Sequence, residues 1–347
     1  MEKKTLKKNP LSFQIDPAKF ELATAEEKAQ QLTQRESVSF FKDAMRRLRK
    51  NKLAMACLVV LIIIMLIAII VPYFYPYTYT KQDVTAKHLK PFEYSKKEMA
   101  RIAKGEDVFP HIMGTDNLGR DYAIRVIYGT RISLLVGFIS ALIVVCIGII
   151  YGSISGYFGG KVDLIMMRIV DIIYSLPDVL IVILLSVAIK DVISQSKNDL
   201  IIRLGPGMIS IFVVFGLLYW VSMARQVRGQ VLSIKEQEYV LAARVTGAKA
   251  SHIIRKHMIP NCVSVIIITA AMQIPSAIFT ESFLSFVGMG VSMPMPSLGS
   301  LASDARSGLI SYPYLLLFPA GTIFLIVLSF NLLGNGLRDA FDPKLRS

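Results

Sequence analysis

Two charge-free runs constrain this chain more than any other feature. Leu53 to Val71 and Ile132 to Gly160 contain no Asp, Glu, Lys or Arg. A helix needs about 20 apolar residues to cross the hydrocarbon of a bilayer, and both runs supply them. Only 18% of the 347 residues are charged and 53% are hydrophobic; a soluble domain carries roughly a quarter charged. Within lipid a helix satisfies its own backbone groups. The fold class is therefore an all-α polytopic membrane protein.

Four further apolar stretches complete the expected set: Leu164 to Ile189, Met208 to Ala224, Val263 to Phe286 and Tyr314 to Leu333. The chain is thus expected to cross the membrane six times. Gly148, Gly152 and Gly156 recur every four residues on one face of the second span, which allows a neighbouring helix to approach closely. The third span holds Arg168, Asp171, Pro177 and Asp178. Asp171 lies three residues from Arg168, so a local ion pair is expected there.

The chain divides accordingly. Residues 1–52 form a polar tail ending in a basic amphipathic helix, expected to lie on the anionic leaflet. Residues 53–72 are the first span and 73–130 an extracellular cap. Residues 131–336 hold the other spans, with a polar elbow at 236–261, and 337–347 form a short tail. Six spans place both termini on one side. Of the 39 lysines and arginines, 25 fall on the side of the tails and elbow. That bias puts the termini and the elbow in the cytoplasm. It also accounts for the net charge of +14 without nucleic acid as a partner.

Little catalytic chemistry is readable. Cys57, Cys146 and Cys262 lie far apart, with no metal-ligand spacing. His252 and His257 are five residues apart, on different faces of a regular helix, and no metal site is expected. The nearest approach to a phosphate loop is Gly160-Lys161, but Ser155 stands where its first glycine belongs and Val162 follows the lysine. The chain is not expected to bind ATP, Mg or another cofactor itself, nor to be an enzyme.

The elbow between the fourth and fifth spans reads as two short helices. The first, Glu238 to Val245, carries Tyr239, Ala242 and Ala243 on one face. Gly247 permits a left-handed turn. The second, Ala250 to His257, is basic, with Arg255 and Lys256. The residues alone leave two readings: a helix lying on the inner leaflet, which they favour, or one held in another protein's groove.

Specific motifs shift that balance. Ala242-Ala243, Gly247 and Ile259-Pro260 keep the spacing of the cytoplasmic signature loop of bacterial ABC-importer permeases. Leu241, in place of a glutamate, and His257 fit the peptide-permease branch, as do Tyr239-Val240, Gly247-Ala248 and His257-Met258-Ile259-Pro260-Asn261. Gly114-Thr115-Asp116 with Gly119-Arg120-Asp121, Gly156-Tyr157 with Gly159-Gly160, Asp163 with Met167-Arg168, and Gly336-Leu337-Arg338-Asp339 extend the likeness. From about Phe40 to Lys344 the chain resembles the C-type subunit of oligopeptide and dipeptide ABC-importer permeases. It departs at Leu298, where a tryptophan is usual, and at Asn335, where an acid is usual.

The resemblance implies a type I ABC-importer permease fold in a bacterial plasma membrane. It implies a heterodimer with a B-type permease subunit, two ABC ATPase subunits that hold ATP and Mg, and an extracellular peptide-binding lipoprotein. The cargo would be oligopeptides or dipeptides; the alternatives are nickel or another small solute, or an ion-coupled secondary transporter. Glu238, Tyr239, Ala242, Ala243, Arg244, Gly247, Ala248, Lys249, Arg255, His257 and Pro260 would dock on an ATPase. Gly247→Leu or Ala243→Trp is expected to abolish transport without blocking insertion. Gly114, Thr115, Asp116, Gly119, Arg120 and Asp121 would touch the binding protein, buttress the outer gate, or merely form a turn. Glu281 would line the pathway or make a structural pairing with a neighbouring chain.

Overall fold

A computed structural model describes residues 40–195, 198–291 and 295–341. The tail before residue 40 and the Asp342-Pro343 end lie outside the described residues. Residues 1–43 and 44–347 are separate units, and the architecture below is that of the second. The helix α1 (Phe40–Lys50) runs into it and turns Ala44 and Leu48 inward. Asn51 then caps α2 (Lys52–Phe74), its side-chain oxygen accepting the Ala54 N–H at 3.1 Å. A fresh cap separates two helices that would otherwise merge.

The short α3 (Lys96–Ile102) belongs to the cap. The spine of the molecule is α4 (Tyr122–Phe158), 37 residues long and so about 55 Å. It begins at Tyr122, so residues 122–130, which sequence assigned to the cap, are its first turns. There Asp121 caps the helix by accepting the Ile124 N–H at 2.9 Å.

Next come α5 (Gly160–Ser175) and α6 (Asp178–Ser194). The apolar stretch Leu164 to Ile189 predicts one span, whereas the two helices meet at 91°. Pro177 has no N–H to give, and it forces Leu176 into an extended conformation at ψ 141. Among the described residues five helices are long and apolar enough to cross a membrane, and six spans result if the bent pair counts as one.

After α7 (Asp199–Leu204), α8 (Pro206–Leu218) and α9 (Trp220–Lys235) form one span of 30 residues. The apolar stretch ends at Ala224, whereas the helix runs to Lys235. The helix carries on because its arginines are neutralised sideways. Arg225 reaches Asp171 at 2.7 Å, and Arg228 grips Asp163 with two nitrogens. Asp171 is thus paired across helices, not with Arg168. Helix α9 also lies directly on the glycine stripe of α4: a Cβ at Gly152 would fall 2.4 Å from the Ala224 carbonyl oxygen, so the expected close approach is met.

The elbow contains α10 (Glu238–Val245) and the single turn α11 (Ala250–Ile253). Then follow α12 (Val263–Val287), α13 (Leu298–Ala305) and α14 (Tyr314–Phe341). One apolar core joins α4, α8, α9, α12 and the elbow, with Phe215, Met223, Ile253 and Met258 fully buried. A second joins α2, α4, α12, α13 and α14 around Leu61, Ile278 and Ile326.

Candidate docking elbow and outer cap

The elbow begins where α9 ends. Val240 of α10 is fully buried and Ala243 is half-buried against the core. Tyr239, Leu241, Ala242 and Val245 face outward; Val245 is 88% exposed. Helix α10 ends in a Schellman motif. The Ala248 N–H reaches the Ala243 carbonyl at 3.1 Å, and the Gly247 N–H reaches that of Arg244 at 3.0 Å. Gly247 sits at φ +79, with nothing within 4 Å of where a Cβ would stand. Glycine serves the turn here, not a close contact.

The second half is not a regular helix. From α11 the backbone widens into a π turn at Ile254–Met258, then tightens into a 3₁₀ turn at Ile259–Cys262. Pro260 cannot donate an N–H, so the helical ladder is interrupted just before it. The wide turn brings the His252 and His257 rings to 6.1 Å, and His257 to 6.2 Å from Tyr239. They are neighbours after all, although among the described residues no group of three metal-ligating side chains forms. Lys249, Ser251, His252, Arg255 and Lys256 line one open basic hollow.

The cap closes the other end of α4. Gly114 sits at φ +75 and Gly119 at φ +71; a Cβ on Gly119 would fall 1.7 Å from the Asp83 carbonyl oxygen. Asp116 accepts the N–H groups of Leu118 and Arg120, each at 2.9 Å, and the Arg120 Nε at 2.7 Å. It also takes a nitrogen of Arg125, whose other side reaches Asp304 at 3.6 Å. Thr115 and Asp121 form a single antiparallel bridge. His111 lies between two carboxylates: Nδ1 is 2.7 Å from Asp121 and Nε2 is 3.1 Å from Glu98. Burial opposes a charged ring, but the two carboxylates outweigh it and raise the His111 pKa. For the Asp304 carboxyl burial is what raises the pKa, against the pull of Arg125.

Comparison with known proteins settles what this frame is. Residues 148–347 match the profile of binding-protein-dependent transport system inner membrane components. Residues 39–91 match that of the N-terminal membrane domain of oligopeptide transport permease C. The dipeptide permease DppC of Bacillus subtilis (strain 168) is 44% identical over 313 residues, 90% of this chain and 88% of its own. The chain belongs to the OppC/DppC family of ABC-importer permeases. The oligopeptide permease OppC of the same organism is 42% identical over 327 residues, covering 94% of this chain and 97% of its own. OppC of Escherichia coli (strain K12) is 40% identical over 312 residues, covering 90% and 93%.

A permease of this family is a multi-pass, non-catalytic subunit, and ATP hydrolysis resides in separate subunits. The permease's elbow residues divide in two. Glu238, Tyr239, Ala242, Gly247, Lys249, Arg255 and Pro260 are exposed; Ala243, Arg244, Ala248 and His257 are only partly so. Arg244 lies 5.1 Å over the Tyr157 ring at the end of α4, which anchors the elbow by a cation–π contact. Ala243→Trp would therefore disturb the permease's own core. Leu241 and Val245 carry exposed apolar surface, although the sequence reading gave neither a docking role.

The cap residues Thr115, Asp116, Arg120 and Asp121 are buried, each at most 8% exposed. His111 and Glu98 join them, with no signal in the linear sequence to find them by. Glu281 is fully buried and accepts the hydroxyls of Ser133 and Ser285, both at 2.8 Å. Ser133 also receives the Leu298 N–H at 3.3 Å. Its partners are serines of its own chain, and they tie α4, α12 and α13 together.

Proposed function

We propose that this permease subunit imports oligopeptides or dipeptides across a bacterial plasma membrane, with both termini and the elbow in the cytoplasm. A B-type permease subunit completes the pathway as a heterodimer. Two ABC ATPase subunits bind ATP and Mg, and an extracellular lipoprotein delivers the peptide. One observation carries the coupling role. Helix α10 leaves Tyr239, Leu241, Ala242 and Val245 uncovered by the chain's own packing, beside a basic hollow. Short apolar helices of this kind fit the groove of a partner, and Lys249, Arg255 and Lys256 suit acids on its rim.

Rigid transmission needs packed elements. Helix α9 offers this, bolted to α4 along its glycine stripe and to α5 by two Asp–Arg pairs. Closure of the ATPases would carry the elbow, and α9 would carry the spans. The buried cap residues suit a buttress of the outer gate better than direct contact with the binding protein. Peptide cargo rests on the dipeptide and oligopeptide permeases named above. Uptake of radiolabelled tri-alanine into proteoliposomes holding the co-expressed complex tests it. ATP-dependent accumulation is expected; accumulation of nickel but not peptide would overturn it.

A further inference from the structure

A cavity of about 510 Å³ opens where the bent pair breaks, within the range of roughly 300–1,000 Å³ typical of small-molecule sites. Asp178, Tyr174, Tyr219, Ser222, Gln273 and Ser276 line it. The break falls after 16 residues of α5 and before 17 of α6, near the middle of the pair. Irregular backbone at membrane depth persists where it is buried in protein or lines a polar cavity. In secondary transporters, substrate sites gather at such broken helices.

Among the described residues Asp178 is the only Asp, Glu, Lys or Arg lining the cavity. Its carboxylate meets the Tyr219 hydroxyl at 3.3 Å, and that hydroxyl is shared with Thr280, also at 3.3 Å. Among the described residues no cation pairs with Asp178. The nearby Arg225 is already committed, to Asp171 at 2.7 Å and to the Tyr174 ring at 4.3 Å. An acid placed in a span ordinarily finds a charged partner or a water-lined path. Gln273 adds a second unmet group: its Nε2 is buried and has no hydrogen-bond partner. Ser222 and Ser276 are exposed hydroxyls on the same walls.

We infer that this cavity is a transit site for peptide, in which Asp178 pairs with a substrate ammonium group. The Gln273 amide and the two serines hydrogen-bond the peptide backbone. A site built this way reads a charge and a backbone, and little of the side chains. The ammonium can be the α-amino terminus or a lysine side chain, which share this chemistry. The inference rests on the peptide reading above.

The test uses the whole complex with its binding protein in proteoliposomes, following initial uptake of tri-alanine and of Ala-Lys-Ala. Asp178→Asn is expected to lower uptake at least tenfold, and Asp178→Glu to restore most of it. Both variants are expected to keep the ATPase subunits on the affinity-purified complex, so that lost uptake is distinguished from lost assembly. Loss for both peptides assigns the α-ammonium; loss for Ala-Lys-Ala alone assigns the side chain. Wild-type uptake by Asp178→Asn overturns the site while leaving peptide import intact, and equal loss in the Glu variant overturns the charge pairing. If the wild-type complex takes up neither peptide, the peptide reading itself fails.

Discussion

The cap and the elbow close opposite ends of α4, and they are built in opposite ways. The cap is held from within. Gly114 and Gly119 occupy positive φ against backbone, and His111, Asp116, Arg120, Asp121 and Arg125 are buried in ion pairs within the chain. Even His88 is kept at φ +54, its ring stacked 4.1 Å from that of Tyr312, a conformation uncommon outside glycine. The elbow has the same kind of positive-φ glycine, yet around it is open space. Tyr239, Leu241, Ala242 and Val245 face outward, and among the described residues Lys249, Arg255 and Lys256 show no ion pair within the chain. One region spends its specific chemistry on its own shape; the other leaves it free for another protein.

The comparison can be broken most forcefully at Asp116. Asp116→Ala leaves Arg120 buried without its carboxylate and Arg125 with only Asp304 at 3.6 Å, a loss of about 3–5 kcal/mol. Thermal unfolding in detergent should show a large drop in midpoint, and a wild-type midpoint would mean the cap is not an ionic keystone. A pair of glycine variants sharpens the contrast. Gly247→Ala should cost only the left-handed strain of about 1–2 kcal/mol. Gly119→Ala bears the same strain plus the collision with Asp83, so it should unfold at a clearly lower temperature. Equal midpoints would erase the distinction between the two turns.

A smaller effect tracks pH. The His111 pKa is raised in the folded cap, so its contribution is fully present below the ordinary histidine pKa of about 6.5. It is lost as pH rises through the raised value. The unfolding midpoint should therefore fall across that window, and His111→Gln should remove that part of the slope. An unchanged slope in the variant would show that the two carboxylates do not hold a charged ring.

The sequence shows most clearly what repeats or excludes. The charge-free runs declare the spans, the four-residue glycine stripe declares a close helix contact, and Gly247 declares a left-handed turn. Each is a local property with one physical reading. What sequence leaves hidden is angular or long-range. Pro177 marks a break but not its 91° bend. Asp171 has Arg168 three residues away, yet its partner is Arg225, 54 residues on, because α9 lies alongside α5. The inward face of α10 depends on where α4 and α9 place the core, so Ala243 and Arg244 could not be separated from Ala242 beforehand. His111 is bracketed by acids 10 and 13 residues away, a spacing that no regular helix or strand makes into neighbours.

The central claim is that the outward face of α10 belongs to an ATPase. Ala242→Trp places a large ring on that face and leaves the core untouched, so stability should change by less than about 0.5 kcal/mol. The decisive measurement is the amount of ATPase subunit retained on affinity-purified permease complex, wild type beside Ala242→Trp. The account predicts an unchanged unfolding midpoint with most of the ATPase lost. Full retention, with peptide uptake unimpaired, would contradict it.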